Sequence, residues 1–232
     1  MPVRKTDHYV KQTTMYNPSF FRIADPRLIA DLIRSYPLGL LISLGPDGVQ
    51  ASPLPFLFFP DEGEHGVLRA HLARANPHWS LFAQDPSCLL VFQGEQGYIS
   101  PSWYPGKATT HRVVPTWNYA MVQIRGTVRT TDDPAWLHSQ ISALTRQQES
   151  GMPSPWQVSD APPEFIEQQK RAIVGLEITI THIEGKWKMS QNRNAADQAG
   201  VIDGLRNTQA TEGSQALADT MSRILKKTDL AQ

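Results

Sequence analysis

The sequence predicts a mainly β fold carrying several helices, and three observations lead there. Short runs rich in apolar, β-branched and aromatic residues recur between turn signals, as in LGLLISL, CLLVF and YAMVQIRGTV. The stretch VGLEITITHIEG alternates Leu176, Ile178 and Ile180 against Glu177, Thr179 and Thr181, the period of a strand with one buried face. Helix starts, in which a capping side chain precedes a proline, are confined to a few places such as Asp25-Pro26 and Asp133-Pro134.

The elements follow in order. Residues 1–14 are expected to form a flexible amino-terminal segment. In ADPRLIADLIRSYP, Asp25 can cap a helix and Leu28, Ile29, Leu32, Ile33 and Tyr36 recur at helical spacing. LGLLISL (38–44) and VQASPLPFLFF (49–59) flank the turn tetrapeptide Gly45-Pro46-Asp47-Gly48 and predict a hairpin. Pro53 and Pro55 donate no ladder hydrogen bond, so the second strand belongs at an edge or carries a bulge. VLRAHL (67–72) reads as a strand and NPHWSLFA (76–83) as a short helix capped by Asn76. Arg74 lies in the turn between them, where a guanidinium and backbone N–H groups can meet an anion. CLLVFQ and QGYIS predict two strands and YAMVQIRGTVRT (119–130) another.

Helices are expected over 132–149 and 162–173, joined by a Pro- and Ser-rich connector, so that about 132–173 is a helical insertion. VGLEITITHIEG (174–185) and WKMS (187–190) read as a hairpin broken at Gly185. From 206 to 232 the composition is polar. Leu217, Met221, Ile224 and Leu225 could line one helical face, but a mobile tail is the favoured expectation.

Bulk properties narrow the function. The 232 residues, 40% hydrophobic, suffice for a sizeable core. The 22 Lys and Arg balance 22 Asp and Glu, which leaves no electrostatic reason for nucleic acid or an anionic membrane as an obligate partner. The single Cys88, set in CLLVF, can form neither an intramolecular disulfide nor a multi-cysteine metal site and suits a reducing compartment. The first residues lack an apolar core of signal-peptide length, and nowhere do about 18 apolar residues run together. A cytoplasmic, soluble protein is expected. The chain has no G-x-G-x-x-G, phosphate loop, G-x-S-x-G or H-E-x-x-H. Its seven histidines are scattered, and no metal site is expected.

Between His71 and Tyr119 three motifs, HLARANPHW, YISPSWYP and VPTWNY, alternate aromatic rings with hydroxyl, amide and basic groups. Such a mixture suits a flat, aromatic, anionic ligand, of which a flavin nucleotide is one. These motifs, taken with MYNPSFF, IRSYPLGLLIS, SPLPFLF, PWQVSDAP, AIVGLEITITHIEGKWKMSQNR and ADQAGVIDGL, resemble the FMN-binding negative transcriptional regulator family, the PaiB-like proteins. The resemblance covers about residues 15–205. It implies a split β-barrel of the pyridoxamine-phosphate-oxidase type with peripheral helices, binding FMN at a homodimer interface.

Carried over residue by residue, the resemblance implies that Ser52, Pro53, Leu54 and Pro55 run beside the flavin ring and ribityl chain. His71, Leu72 and Ala73 would continue along the ring edge, with Arg74 and Asn76 at the phosphate. Ser102, Trp103, Tyr104, Thr116 and Trp117 would line the site, and Lys188, Ser190 and Gln191 would come from the second subunit. Ala70 stands where the family leads one to expect glycine, and TTHRVVPTW is less acidic than the corresponding loop. Three functions remain open at this point: an FMN-dependent oxidoreductase or flavin-linked regulator, a negative transcriptional regulator acting through DNA or a protein partner, and, lowest, a haem-binding or haem-degrading barrel with His71 as a candidate axial ligand. The neutral charge and the lack of a recognisable helix-turn-helix weigh against direct DNA reading.

Overall fold

Eight strands make one antiparallel sheet in a computed structural model that describes residues 15–209 and 211–229. The expected flexible segment 1–14 lies outside the described residues. The strands are β1 (Arg22–Ile23), β2 (Leu38–Gly45), β3 (Gly48–Pro55), β4 (Leu57–Phe59), β5 (Val67–Ala73), β6 (Ser87–Ile99), β7 (Thr116–Thr131) and β8 (Ile173–Lys188). Their order is β3-β2-β6-β7-β8-β5-β4, with β1 paired to β8. β3 packs against β5, and Asn76, just past β5, donates to Ser52 Oγ of β3 at 3.2 Å, which brings the ends of the sheet together as a barrel. Leu41, Leu68, Leu90, Phe92, Val122, Ile124, Leu176 and Ile178 fill the interior and are fully buried.

Among the described residues seven α-helices surround the barrel: α1 (Pro26–Ser35), α2 (His78–Leu81), α3 (Lys107–Thr110), α4 (Pro134–Glu149), α5 (Pro163–Arg171), α6 (Ala195–Gly204) and α7 (Glu212–Asp229). Asp25 Oδ1 accepts from the Arg27 N–H at 2.9 Å and caps α1 as its position predicts. The hairpin of β2 and β3 closes at Gly45 opposite Gly48, whose φ of 109° requires glycine. β3 stands at the end of the sheet path, where its two prolines cost no ladder bond. No helix of the described residues is long and apolar enough to cross a membrane.

Four local expectations are corrected. The two strands expected over 88–93 and 96–100 are one strand, β6, with a bulge between Gln93 and Gln96. Gly94, between the two runs, is a close-packing point: a Cβ there would lie 3.1 Å from Leu32 of α1. The hairpin expected at Gly185 is likewise one strand, β8. A Cβ on Gly185 would lie 2.9 Å from the Ile23 carbonyl and 2.8 Å from the Trp187 ring, so the glycine admits β1 instead of ending β8. The helix expected over 76–83 is shorter, with Asn76 Oδ1 accepting from the His78 N–H at 3.0 Å. Finally, the region expected to be a mobile polar tail holds α7, whose Leu217, Ala218 and Met221 are fully buried. Gly97 of β6 leaves the room that Leu217 fills, and Thr220 Oγ1 donates to Glu95 Oε1 at 2.7 Å.

Candidate functional site

The barrel seam holds the first group of expected site residues. Ser52 Oγ, on the inner side of β3, accepts from Asn76 Nδ2 and lies 2.9 Å from His78 Nδ1. The other ring nitrogen of His78 is 2.7 Å from Ser43 Oγ of β2. His78 is 1% exposed and stacks on Phe82 with ring centroids 5.4 Å apart. Burial lowers its pKa below the ordinary histidine value, so the ring is neutral and bridges two serine hydroxyls. Leu54 and Leu72 point into the core, while Pro53 and Ala73 are exposed and Pro55 is half-buried.

Arg74 and His71 are already engaged. Arg74 Nε and Nη2 donate to the carbonyls of Arg171 and Ile173, each at 3.0 Å, so two of the five guanidinium N–H groups hold the junction of α5 and β8. His71 Nδ1 lies 2.7 Å from Gln140 Oε1 of α4, beneath the helical insertion. Cys88 offers no nucleophile, since burial pushes its thiol up to about 12. Among the described residues no three His, Cys, Asp or Glu side chains converge to hold a metal ion.

The second group gathers where β7 begins and β8 ends. Lys188 Nζ donates to Thr116 Oγ1 at 2.5 Å and to the Trp117 carbonyl at 2.6 Å. Burial, followed by the nearby charges of Lys186 and Arg193, lowers the Lys188 pKa. Trp117 is 48% exposed and lies edge-on to Tyr98, with centroids 6.3 Å apart. Ser190 is buried in the left-handed region at φ 64°, and its Oγ accepts from Asn118 Nδ2 at 3.0 Å. Gln191 braces the local backbone, since its side chain accepts from the Met189 N–H and donates to the Trp187 carbonyl. Ser102 is exposed in the turn before Tyr104, whereas Trp103 lies on α6, where a Cβ on Gly204 would meet its ring at 2.3 Å.

Within one chain these two groups stay apart. His71 pairs with Gly175 near the start of β8, and Lys188 ends the same strand 13 residues later. At about 3.3 Å per residue the path between them is roughly 40 Å. The residues that sequence reasoning missed are Ser43, His78, Asn118 and Arg193. His78 stands inside the HLARANPHW motif but offers no spacing signal for a partner 35 residues earlier. Arg193 closes the SQNR run, two positions after Gln191.

The outer wall of the barrel is uneven. Alternation and register place Leu38, Leu40 and Leu44 of β2, Val49 of β3, Tyr98 of β6 and Trp117 of β7 on one face. Their exposures run from 37% to 72%. Over β5, β7 and β8 the surface instead carries a charged network in which Glu177 accepts from Arg69 at 2.9 Å and from Arg129 at 2.8 Å.

Known proteins share this architecture. The family model described as "Putative FMN-binding domain" matches residues 15–182. An uncharacterized protein of Emericella nidulans is 35% identical over 88% of this chain and 95% of its own length. The protease synthase and sporulation protein PAI 2 of Bacillus subtilis is 30% identical over 92% of this chain and 99% of its own. Among solved structures, the flavocytochrome Anf3 of Azotobacter vinelandii superposes with a TM-score of 0.56 at 13% identity, covering 81% of this chain and 78% of that one. The fold is the split barrel that the sequence motifs imply.

Proposed function

Because the chain belongs to the FMN-binding domain family, we propose that it works as a homodimer with FMN shared between two copies, and that it is an FMN-dependent oxidoreductase. It is an FMN-binding split-barrel protein of the PaiB-like family. The observation that carries the shared site is the separation of its two residue groups along β8, which one chain cannot close by itself. The apolar wall of β2 and β3 supplies the surface for a second copy. Leu38, Leu44 and Val49 expose 64%, 68% and 72% of their area, which a lone subunit in water would bury if it could.

The residues present fit a flavin nucleotide. Half-exposed Trp117 and Tyr98 offer ring faces, Lys188 offers a cation, and Ser52 offers a hydroxyl fixed from below by His78 and Asn76. Bound FMN supplies the redox chemistry. This chain's part is to orient it: the Ser52–Asn76 seam of one copy and the Thr116–Lys188 end of the other hold opposite sides, and the joined apolar walls exclude water.

The test combines flavin retention with mass. FMN is added to the purified protein, excess is removed, and absorbance is followed together with molar mass by light scattering. Flavin travelling with a two-chain species is expected, as is oxidation of reduced nicotinamide faster than free FMN achieves with the same acceptor. Flavin held by a single chain would sink the shared site. A flavin-loaded dimer that adds nothing to the rate of free FMN, but shifts a DNA fragment with strong salt dependence, would replace the oxidoreductase with the regulator.

A further inference from the structure

The Lys188 end of the barrel contains a small, built cup. Tyr104 follows β6 and is 2% exposed; Ser190 and Arg193 stand beside its buried hydroxyl, yet among the described residues it makes no hydrogen bond of good geometry. With Lys188, Ser190 and Arg193 it lines a cavity of about 50 Å³. The Arg193 guanidinium carbon stands 5.0 Å from the centre of the Tyr104 ring. Ser190 Oγ accepts from Asn118, which leaves its own proton to donate. Lys188 has given two of its three protons to Thr116 and Trp117. The acid nearest in its influence on Tyr104, Asp197, is turned to the Gly106 N–H at 3.0 Å and to Asn194 Nδ2 at 3.0 Å.

Two cations and two hydroxyls thus converge, beside Thr116, Asn118 and Asn192, on a space whose lining includes no carboxylate. An unsatisfied buried hydroxyl is costly, and so is a cluster of like charges. An oxyanion relieves both. We propose that this cup is an oxyanion site that takes the phosphate or carboxylate end of a small ligand, with Arg193 and Lys188 supplying charge and Tyr104 and Ser190 supplying hydrogen bonds. A volume of about 50 Å³ exceeds the roughly 15 Å³ that one water requires but admits only a head group. The remainder of the ligand lies outside, toward Trp117. The anionic group is either the flavin's own phosphate or the acidic end of a substrate placed beside the flavin. The inference deepens the flavin reading in location, while its chemistry stands separately.

The test uses inorganic phosphate as probe, titrated calorimetrically into flavin-free and FMN-loaded protein, for the wild type, Arg193→Ala and Tyr104→Phe. Tyr104→Phe keeps the ring and removes only the hydroxyl. Phosphate is expected to bind the flavin-free wild type, about tenfold more weakly to Arg193→Ala and severalfold more weakly to Tyr104→Phe. If FMN blocks phosphate, and Arg193→Ala weakens FMN but not riboflavin, the cup holds the flavin phosphate. If the loaded protein still binds phosphate, the cup serves a substrate anion. Phosphate bound by a protein that takes up no FMN would keep the cup and overturn the flavin reading. Phosphate that binds neither form, or binds both variants as it binds wild type, overturns the cup.

Discussion

His78 shows how a single ring can set the donor that a ligand meets. With Ser43 on one nitrogen and Ser52 on the other, the neutral imidazole has two arrangements. In one, Ser52 gives its proton to the ring. In the other the ring donates to Ser52, which already accepts from Asn76, so the serine proton is free for a ligand. Ser52 and Asn76 were legible from the motif, but the ring that governs them was not, because its partner lies on a different strand. Burial keeps the His78 pKa below 6.5 in the folded chain, so the unfolded chain binds the proton first as pH falls. His78 therefore favours the fold fully above pH 6.5, and that contribution is lost as pH drops from there through the folded-state value. A His78→Gln protein should show a flatter dependence of unfolding free energy on pH below 6.5 than wild type, read from urea titrations. Equal slopes would mean that the ring does not titrate as its burial requires.

At the level of elements, the sequence was most readable where pattern and packing agree. α1, with a capping Asp25 and a five-residue apolar stripe, and the Gly45–Gly48 hairpin are local structures whose causes lie within a few residues. Gly185 misled because a glycine that admits a neighbouring element looks, in one dimension, the same as a glycine that ends a strand. α7 was misread for a related reason: its polar face dominates its composition, while the groove that receives its apolar stripe belongs to β6, more than a hundred residues away. Replacing Met221, fully buried and 3.4 Å from Asn118 Nδ2, with alanine should cost about 2–5 kcal/mol in denaturant unfolding. A mobile tail would give a change near zero. Since Asn118 also holds Ser190, α7 supports the floor of the proposed oxyanion cup from behind.

For the whole molecule, barrel architecture and flavin class were readable from motifs in series, whereas the face proposed to meet a second copy was not, since exposure is a property of the folded wall. Leu44 and Val49 face each other across the hairpin on that wall. Changing both to glutamate should leave the subunit folded, because each is about two-thirds or more exposed in the single chain, yet split the dimer and release FMN. Light scattering with flavin absorbance reads both effects, and a variant that remains a flavin-bearing dimer would move the interface elsewhere. β8 then acquires a wider meaning. In the proposed two-fold dimer one end of this strand would reach one cofactor and the other end its twin. The two sites of the proposed dimer would thereby share one continuous hydrogen-bonded strand. In the proposed dimer, half-loaded and fully loaded protein would then differ in how β8 is held at its two ends.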